Sequence, residues 1–484
     1  MTHDPAPASK VAVIGAGPAG LTAAYTLLHE GAGRFCPVVF EGGKQVGGIS
    51  RTEIHNGYRF DIGGHRFFTK VPEVTQMWED VLGDDFITVP RLSRIYYRGR
   101  FFNYPLKIFN ALSNLGLYES TRIILSYLKW QFRPSPVEET FEHWVINRFG
   151  GRLYMHFFHS YTEKVWGIPP SQIRADWAAQ RIKNLSLSSA VLNAVFKTGT
   201  ATSLIEEFRY PRLGPGMMWE KTAGLVGAEG GEVLLEHSVI RINRDGLHVV
   251  SVDVVATNSG GKSDPKTIEA AHFVNTMALD AAILAFDPPP PPEVIEAAKC
   301  LKYRDFLVVT LVLNTPDPFP DNWIYVHAPE VKVGRIQNFR AWSKDLLPDQ
   351  DTASIGMEYF CQKGDGLWSM NDADLRALAA KELEMTGLAK AENVIDAAII
   401  RQPKAYPVYD GAYKAALDII GDWLRQLENF QTVGRNGLHR YNNQDHSMLT
   451  AIYAARNIMG AAHDIWNVNV DRAYHEDFET DKTQ

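Results

Sequence analysis

Cysteine is scarce in this chain: three in 484 residues, Cys36, Cys300 and Cys361, with no two close enough for a CxxC or zinc pattern. That spacing excludes a disulfide framework and points to a reducing compartment, so a cytoplasmic location is expected. No apolar run approaches the ~18 residues of a membrane-spanning helix. The opening MTHDPAPASK lacks an apolar stretch behind a basic one, so no secretory signal is read there. Charge of one sign is not in large excess; a net charge of −7 gives the chain as a whole no attraction for nucleic acid. Metal-ligand spacings and a nucleophile–base triad are also missing, so no metal is expected. What is present is an ordinary globular composition, 45% hydrophobic and 22% charged, at a length that calls for two or three domains.

Along the chain, residues 11–72 read as strand, glycine turn, helix, strand and a glycine-rich loop. Residues 106–210 are mostly helical in pattern. Within them, the aromatic and amphipathic segment 106–132 has two readings, a membrane-lying helix or a helical pair packed on the core, and the second is preferred. Short β-branched runs follow from about 216 to 280. The run DPPPPP, Asp287 to Pro292, reads as a stiff connector and a domain boundary. After it, DFLVVTLVLN and ASIGMEYFC read as antiparallel strands, 372–390 as a helix, and SMLTAIYAARNIMGAAHDIW as a closing helix. The expected fold is α/β. A Rossmann-like dinucleotide domain is built from 10–72, 214–285 and 430–470. A helical insert spans 106–213, and an antiparallel-sheet substrate domain takes 73–105 and 293–429.

The strongest local signal is VAVIGAGPAGLTAAYTLL. An apolar strand ends at Gly15, which permits a tight turn. Gly17 admits a pyrophosphate near the backbone, Pro18 and Ala19 open a helix, and Gly20 lets that helix pack on the strand. The helix N-terminus offers amides to phosphate. A second strand, PVVF, ends in Glu41, placed for ribose hydroxyls. The following GGKQVGGISRT adds a second glycine pair, Gly47 and Gly48, and Arg51. This pair resembles the second cofactor loop of the flavoprotein superfamily that contains the amine oxidases. The resemblance implies FAD, with the backbone near Val239 at its adenine.

Other stretches narrow the likeness: GGHRFFTK (63–70), FNYPLKIF (102–109), HSYTEKVWGIPPSQIRADWAAQRI (159–182), VGRIQNFRAW (333–342), MEYFCQKGD (357–365), KAYPVYDGAY (404–413) and GRNGLHRYNNQD (434–445). Taken in order, they resemble the motifs of the UDP-galactopyranose mutases and their relatives. That family interconverts pyranose and furanose forms of nucleotide sugars for cell-surface polysaccharide, with N5 of reduced FAD as nucleophile at the anomeric carbon. The resemblance implies a nucleotide-diphosphate sugar as partner, an external reductant such as NAD(P)H, and a homo-oligomer as an option.

Residue by residue, it implies a diphosphate clamp of Arg335, Tyr406, Arg435 and Tyr441, with Arg181 as a further substrate-side arginine. Tyr161 and Trp166 would line the cavity. Gly64 and His65 would lie beside the flavin, as would Gly434, Arg435 and Asn443, the last where the family has an acid. Each has a plainer reading. Tyr161 and Trp166 could be core aromatics, Glu163–Lys164 a structural pair, and the two arginines partners of structural acids. Two other functions stay open: an amine, porphyrinogen or polyene oxidase or desaturase, and a flavin-binding component without catalysis. An oxidase needs an apolar tunnel and no diphosphate clamp.

Overall fold

The computed structural model describes residues 8–106, 108–175, 206–258 and 264–468. Five parallel strands form its first sheet, in the order Phe430–Thr432, His272–Asn275, Ser9–Ile14, Phe35–Phe40 and Glu232–Leu234. Strands buried on both faces are apolar at every position rather than at alternate ones, as VAVI and PVVF are. Val11, Val13 and Val39 face one hydrophobic core with the helices Pro18–Glu30, Gly216–Ala228 and Gln444–Ile458. Ala12, Ile14, Val38 and Phe40 face another, shared with the antiparallel strands His237–Asp245 and His248–Ala256.

The helices Pro292–Cys300 and Tyr413–Leu424 also bury their apolar sides in this second core. The run Asp287–Pro292 leads directly into the first of these helices: Pro292 is its first residue, where a missing N–H costs nothing, while Pro288, Pro289 and Pro292 are exposed.

A seven-stranded sheet carries the rest, in the order Val394–Pro407, Tyr303–Leu313, Ala353–Cys361, Arg335–Asn338, Trp323–Val326, Ser93–Tyr97 and Arg100–Asn103. All its neighbours are antiparallel except Trp323–Val326 with Ser93–Tyr97. One face packs Leu307, Val309, Ile336 and Met357 against the helix Asp372–Met385. The alternation of a strand then puts Arg335, Gln337 and Glu358 on the opposite face. The fold class read from the sequence is the one observed. Two helices end earlier than their patterns suggest: Gly387 (φ 73°) follows Asp372–Met385, and Gly460 (φ 108°) follows Gln444–Ile458. A left-handed glycine just past the last turn is a helix stop that outweighs apolar residues beyond it.

Helical segments follow over 108–166, among them Leu117–Phe132, Phe141–Phe149 and Ser160–Trp166. The strand Glu207–Pro211 returns the chain by pairing with Phe86–Pro90. Among the described residues, no helix is long and apolar enough to cross a membrane.

Candidate active site

The fingerprint glycines answer to different demands. Gly15 has φ 100°, and a Cβ there would fall 2.2 Å from Thr276 Oγ1. At Gly20 a Cβ would meet the Gly15 carbonyl at 1.9 Å, so strand and helix could not close. Gly17 is different. Its φ is −80°, and an added Cβ would find only Gly48, at an ordinary 3.7 Å. The protein's own packing does not require a bare backbone at Gly17, whereas a close-lying ligand does. Gly47 (φ 102°) and Gly48 (φ 56°) fold the second glycine turn over the first, with Gly47 N donating to Ala16 O at 2.8 Å.

Glu41 ties the two loops together, accepting from Ala16 N at 2.9 Å and Gly43 N at 2.8 Å. Each carboxylate oxygen keeps a second lone pair for a ribose-type hydroxyl. The strand bearing Val239 enters beside it, because His237 N donates to Glu41 O. Arg51 is occupied within the loop: it donates to Gly48 O and Gln402 Oε1, both at 2.9 Å, and to Glu53. Pro18 and Ala19 begin the fingerprint helix, and the Cβ of Ala19 lies 2.8 Å from where Gly434 would place one. Asn443 is exposed at the start of helix Gln444–Ile458.

On the other side, strand register aligns the polar groups. Tyr325 pairs with Arg335, and Arg335 with Glu358, across three adjacent strands. The Arg335 Nε and the Gln337 amide both donate to the Glu358 carboxylate, which is 1% exposed. Arg335 Nη2 donates to Tyr406 Oη at 2.9 Å, so the phenolic hydrogen of Tyr406 is left to point elsewhere. The Arg435 guanidinium lies 4.9 Å from the Tyr406 ring and 4.6 Å from the Tyr441 ring. The two rings are 5.3 Å apart, and Trp166 meets Tyr441 edge-on at 5.8 Å. Gly63 brings the GGHRFF loop against this group, since its Cβ position is 3.9 Å from Arg335 Nη2. A small cavity beside it is lined by Gly64, Arg66, Trp323, Tyr325, Arg335, Gln337 and Trp342.

Electrostatics sharpen the arrangement. Burial opposes the charge on Arg335, but Glu358 outweighs it and holds the guanidinium well above its usual range. Burial pushes the Tyr406 phenol up to about 12 and Tyr161 well above its ordinary value. Both therefore remain hydroxyl donors at neutral pH. His65 is pulled down to about 3 by burial and by the neighbouring Arg435 and Arg335. It is a neutral imidazole here, its Nδ1 shut off from solvent and its ring close to the Gly63 backbone.

The family described as flavin containing amine oxidoreductase matches residues 18–400. The chain belongs to that family. Solved structures share its fold. A reduced UDP-galactopyranose mutase is 20% identical, with a TM-score of 0.82 over 96% of this chain and 97% of that one. A putrescine oxidase bound to putrescine is 16% identical, with a TM-score of 0.61 over 94% and 99%. An oxidoreductase from Methanosarcina mazei is 13% identical, with a TM-score of 0.57 over 93% and 100%.

A flavin is the cofactor of this family, and the two glycine turns fit one: a Cβ at Gly17 would meet Gly48 only at ordinary van der Waals distance, so the protein's packing leaves the backbone at the helix N-terminus open to a ligand. Gly17→Ala should accordingly fold, with a loss of about 1 kcal/mol for a poorer helix cap. It should emerge from purification with several-fold less flavin per chain. Normal flavin content, read from the absorbance ratio, would show that nothing approaches Gly17.

Of the residues expected at the site, His65, Arg335, Tyr406, Arg435 and Tyr441 are brought together, with Tyr161 and Trp166 at the border. Trp166 belongs to both readings, being 4% exposed in a core with Phe141 and Trp144 while it touches Tyr441. Arg181 lies outside the described residues. Glu358, Gln337 and His327 carry no role in the sequence reading, yet they shape the site. One acid in the otherwise apolar ASIGMEYFC was the available signal for Glu358.

Tyr161 stacks on His327 at 4.4 Å and meets Tyr325 edge-on. One turn on, four carbonyls, those of Val326, Ala328, Val331 and Val333, lie 2.9–3.1 Å from Lys164 Nζ and share its three N–H groups. YTEKVWG is thus a clamp between the helical segments and the loop joining two strands of the sheet.

The buried bases predict acid sensitivity. Burial lowers His65 and His327 to about 3 and His439 to about 4, below an unfolded value near 6.5. Their stabilisation is present above pH 6.5 and is lost as pH falls toward those values. Asp61 acts in the opposite sense, since burial raises it to about 8 and the folded state holds a proton the unfolded state has released. Three bases less one acid leave unfolding to take up about two protons near pH 5. Near pH 7 the two contributions almost cancel, so unfolding midpoints in urea should change little there and fall increasingly steeply toward pH 5, and a profile flat throughout would contradict it.

Proposed function

We propose that the protein is an FAD-dependent isomerase interconverting the pyranose and furanose forms of a nucleotide-diphosphate sugar. The observation that carries this reading is the convergence of two guanidiniums and two phenols, Arg335, Arg435, Tyr406 and Tyr441, beside the GGHRFF loop. A diphosphate asks for planar bidentate donors and hydroxyls, whereas an apolar oxidase substrate offers nothing to offset their desolvation. Likeness of fold to a mutase over nearly the whole chain agrees with it.

Reduced FAD would supply the nucleophile for the anomeric carbon, held by Gly17, Gly48, Glu41 and the strand at Val239. The chain's own residues bind and orient. Arg335, fixed by Glu358, and Arg435, laid across two tyrosine rings, would hold the diphosphate through its departure and return. Tyr406, accepting from Arg335, can donate its hydroxyl to a phosphate oxygen. Neutral His65 offers a hydrogen bond near the flavin without adding charge. Trp166 and Tyr161 would wall the cavity, and Arg181 is assigned to the substrate side on its motif alone. Water must be kept out while the sugar is detached from its diphosphate.

The test is chromatography of UDP-, GDP- and dTDP-hexoses incubated with the flavoprotein, with and without dithionite. An isomeric product of unchanged mass, formed only under reduction, is expected. Flavin reduction by an added amine, porphyrinogen or polyene, with no isomerisation, would move the protein to the oxidases that share its family.

A further inference from the structure

The helix Leu117–Phe132 turns an unusual face outward. At about 100° per residue, Leu117, Tyr118, Ile124, Leu125, Leu128 and Phe132 fall within one arc of roughly a third of the helix. Leu117 is 87%, Tyr118 75%, Leu125 61% and Phe132 83% exposed. The inner face is committed elsewhere: Ser120 and Ile123 are buried, and Tyr127 and Trp130 close against Gly150 and Gly151. The helix therefore docks on its unit through one narrow side and leaves its most apolar side uncovered.

Charge on the helix is arranged to one sign. Arg122, Lys129 and Arg133 lie together along one flank of the apolar arc, and all three are exposed. Arg122 also leans toward Glu119 at 3.6 Å. Glu119, the one acid in the helix, is turned inward with 12% of its side chain exposed. It accepts from Arg152 and from His156, and the Arg152 hydrogen bonds hold it down to about 2. In the following loop, Glu138 is engaged by Arg148 at 2.9 Å.

We infer that this face lies on an anionic lipid surface, with the apolar arc among the acyl chains and the cationic flank at the headgroups. An apolar arc bordered by cations is the arrangement of an interfacial helix. Pairing with a second copy is disfavoured by the same charges. Two such helices packed antiparallel about a two-fold axis meet flank to like flank, setting Arg122, Lys129 and Arg133 against their counterparts. The chain's overall net charge of −7 makes the local patch, rather than bulk attraction, responsible. Binding here is independent of any substrate at the site.

The test is flotation of the flavin-loaded full chain with vesicles of phosphatidylcholine alone or mixed equally with phosphatidylglycerol. Wild type should float with the mixed vesicles, less so at high salt. Leu125→Ser/Phe132→Ser should weaken that partition at least about ten-fold with unchanged flavin absorbance. Arg122→Gln/Lys129→Gln should weaken it on anionic vesicles and leave any binding to neutral ones unaltered. Failure of wild type to float, or flotation indifferent to the Leu125/Phe132 changes, overturns the inference. So does a dimer, seen by light scattering, that the Leu125/Phe132 variant loses without any vesicle binding; the face would then join copies of the chain.

Discussion

Arg335→Ala is expected to lower nucleotide-sugar affinity by at least 30-fold, about 2 kcal/mol, while the protein still purifies with its flavin. It should also destabilise the fold by about 3–5 kcal/mol, because Glu358 would be left as an uncompensated charge in the sheet. These two effects have different origins and can be separated. Arg335→Met combined with Glu358→Gln removes the stranded charge, so its unfolding midpoint should recover most of the loss. Its affinity should not recover, since the guanidinium is still missing. Calorimetric titration with UDP beside urea unfolding reads both quantities. Full sugar affinity in either variant would remove Arg335 from the clamp and reduce it to the structural partner of Glu358.

Lys164→Ala is the second large effect. Four carbonyls gather on one ammonium, and without it they lose their common donor in a largely enclosed space. A loss of about 2–4 kcal/mol is expected, from unmade hydrogen bonds at each buried acceptor. Because the lost group is a cation on a chain of methylenes, propylammonium should fit the space and restore part of the unfolding midpoint, while sodium should not. Hydrogen exchange of the amides from Ala328 to Gly334 should quicken in the variant and slow again with the amine. Exchange unchanged from wild type would mean that the carbonyls hold their places without Lys164. Burial lowers Lys164 to about 8 against an unfolded value near 10.5, so the unfolded state binds more protons between those values and this group's contribution to stability should rise, not fall, as pH goes from 8 toward 10.

How much of this was legible in the sequence follows from where each interaction is encoded. The two glycine turns are local. Gly15, Gly17, Gly20 and Glu41 occur within thirty residues of one another, so strand period, glycine spacing and a terminal acid suffice to read them. The clamp is not local. Arg335, Tyr406 and Arg435 are brought together by strand register and by a loop far along the chain, and no spacing rule states that; the motif resemblance supplied it. Glu358 is hidden in a largely apolar strand, and Gln337 in the polar strand RIQN is not marked out from its neighbours, so in both cases only the pairing partner gives the residue meaning. Lys164 was read as half of a structural pair with Glu163. The structure keeps the structural role but replaces the partner, since backbone carbonyls carry no sequence signature. A proline run carries two meanings in a sequence, a stiff connector and the first turn of a helix, and Pro292 takes the second without deciding where a domain ends.

The strand order of the parallel sheet has a consequence for synthesis. Its central pair, Ser9–Ile14 and Phe35–Phe40, leaves the ribosome early, but their sheet is finished only by Glu232–Leu234, His272–Asn275 and finally Phe430–Thr432. The helix that covers one face, Gln444–Ile458, is later still. Nearly the whole chain must be made before the cofactor's half of the molecule can close, and pairings this distant form slowly. Meanwhile the apolar strands of the first forty residues have no permanent cover, the circumstance in which nascent chains rely on chaperones. Ribosome-arrested chains ending before Phe430 should therefore retain no flavin, and those extended past Ile458 and clear of the exit tunnel should retain it. Flavin held by the shorter chains would mean that the first βαβ unit closes on its own.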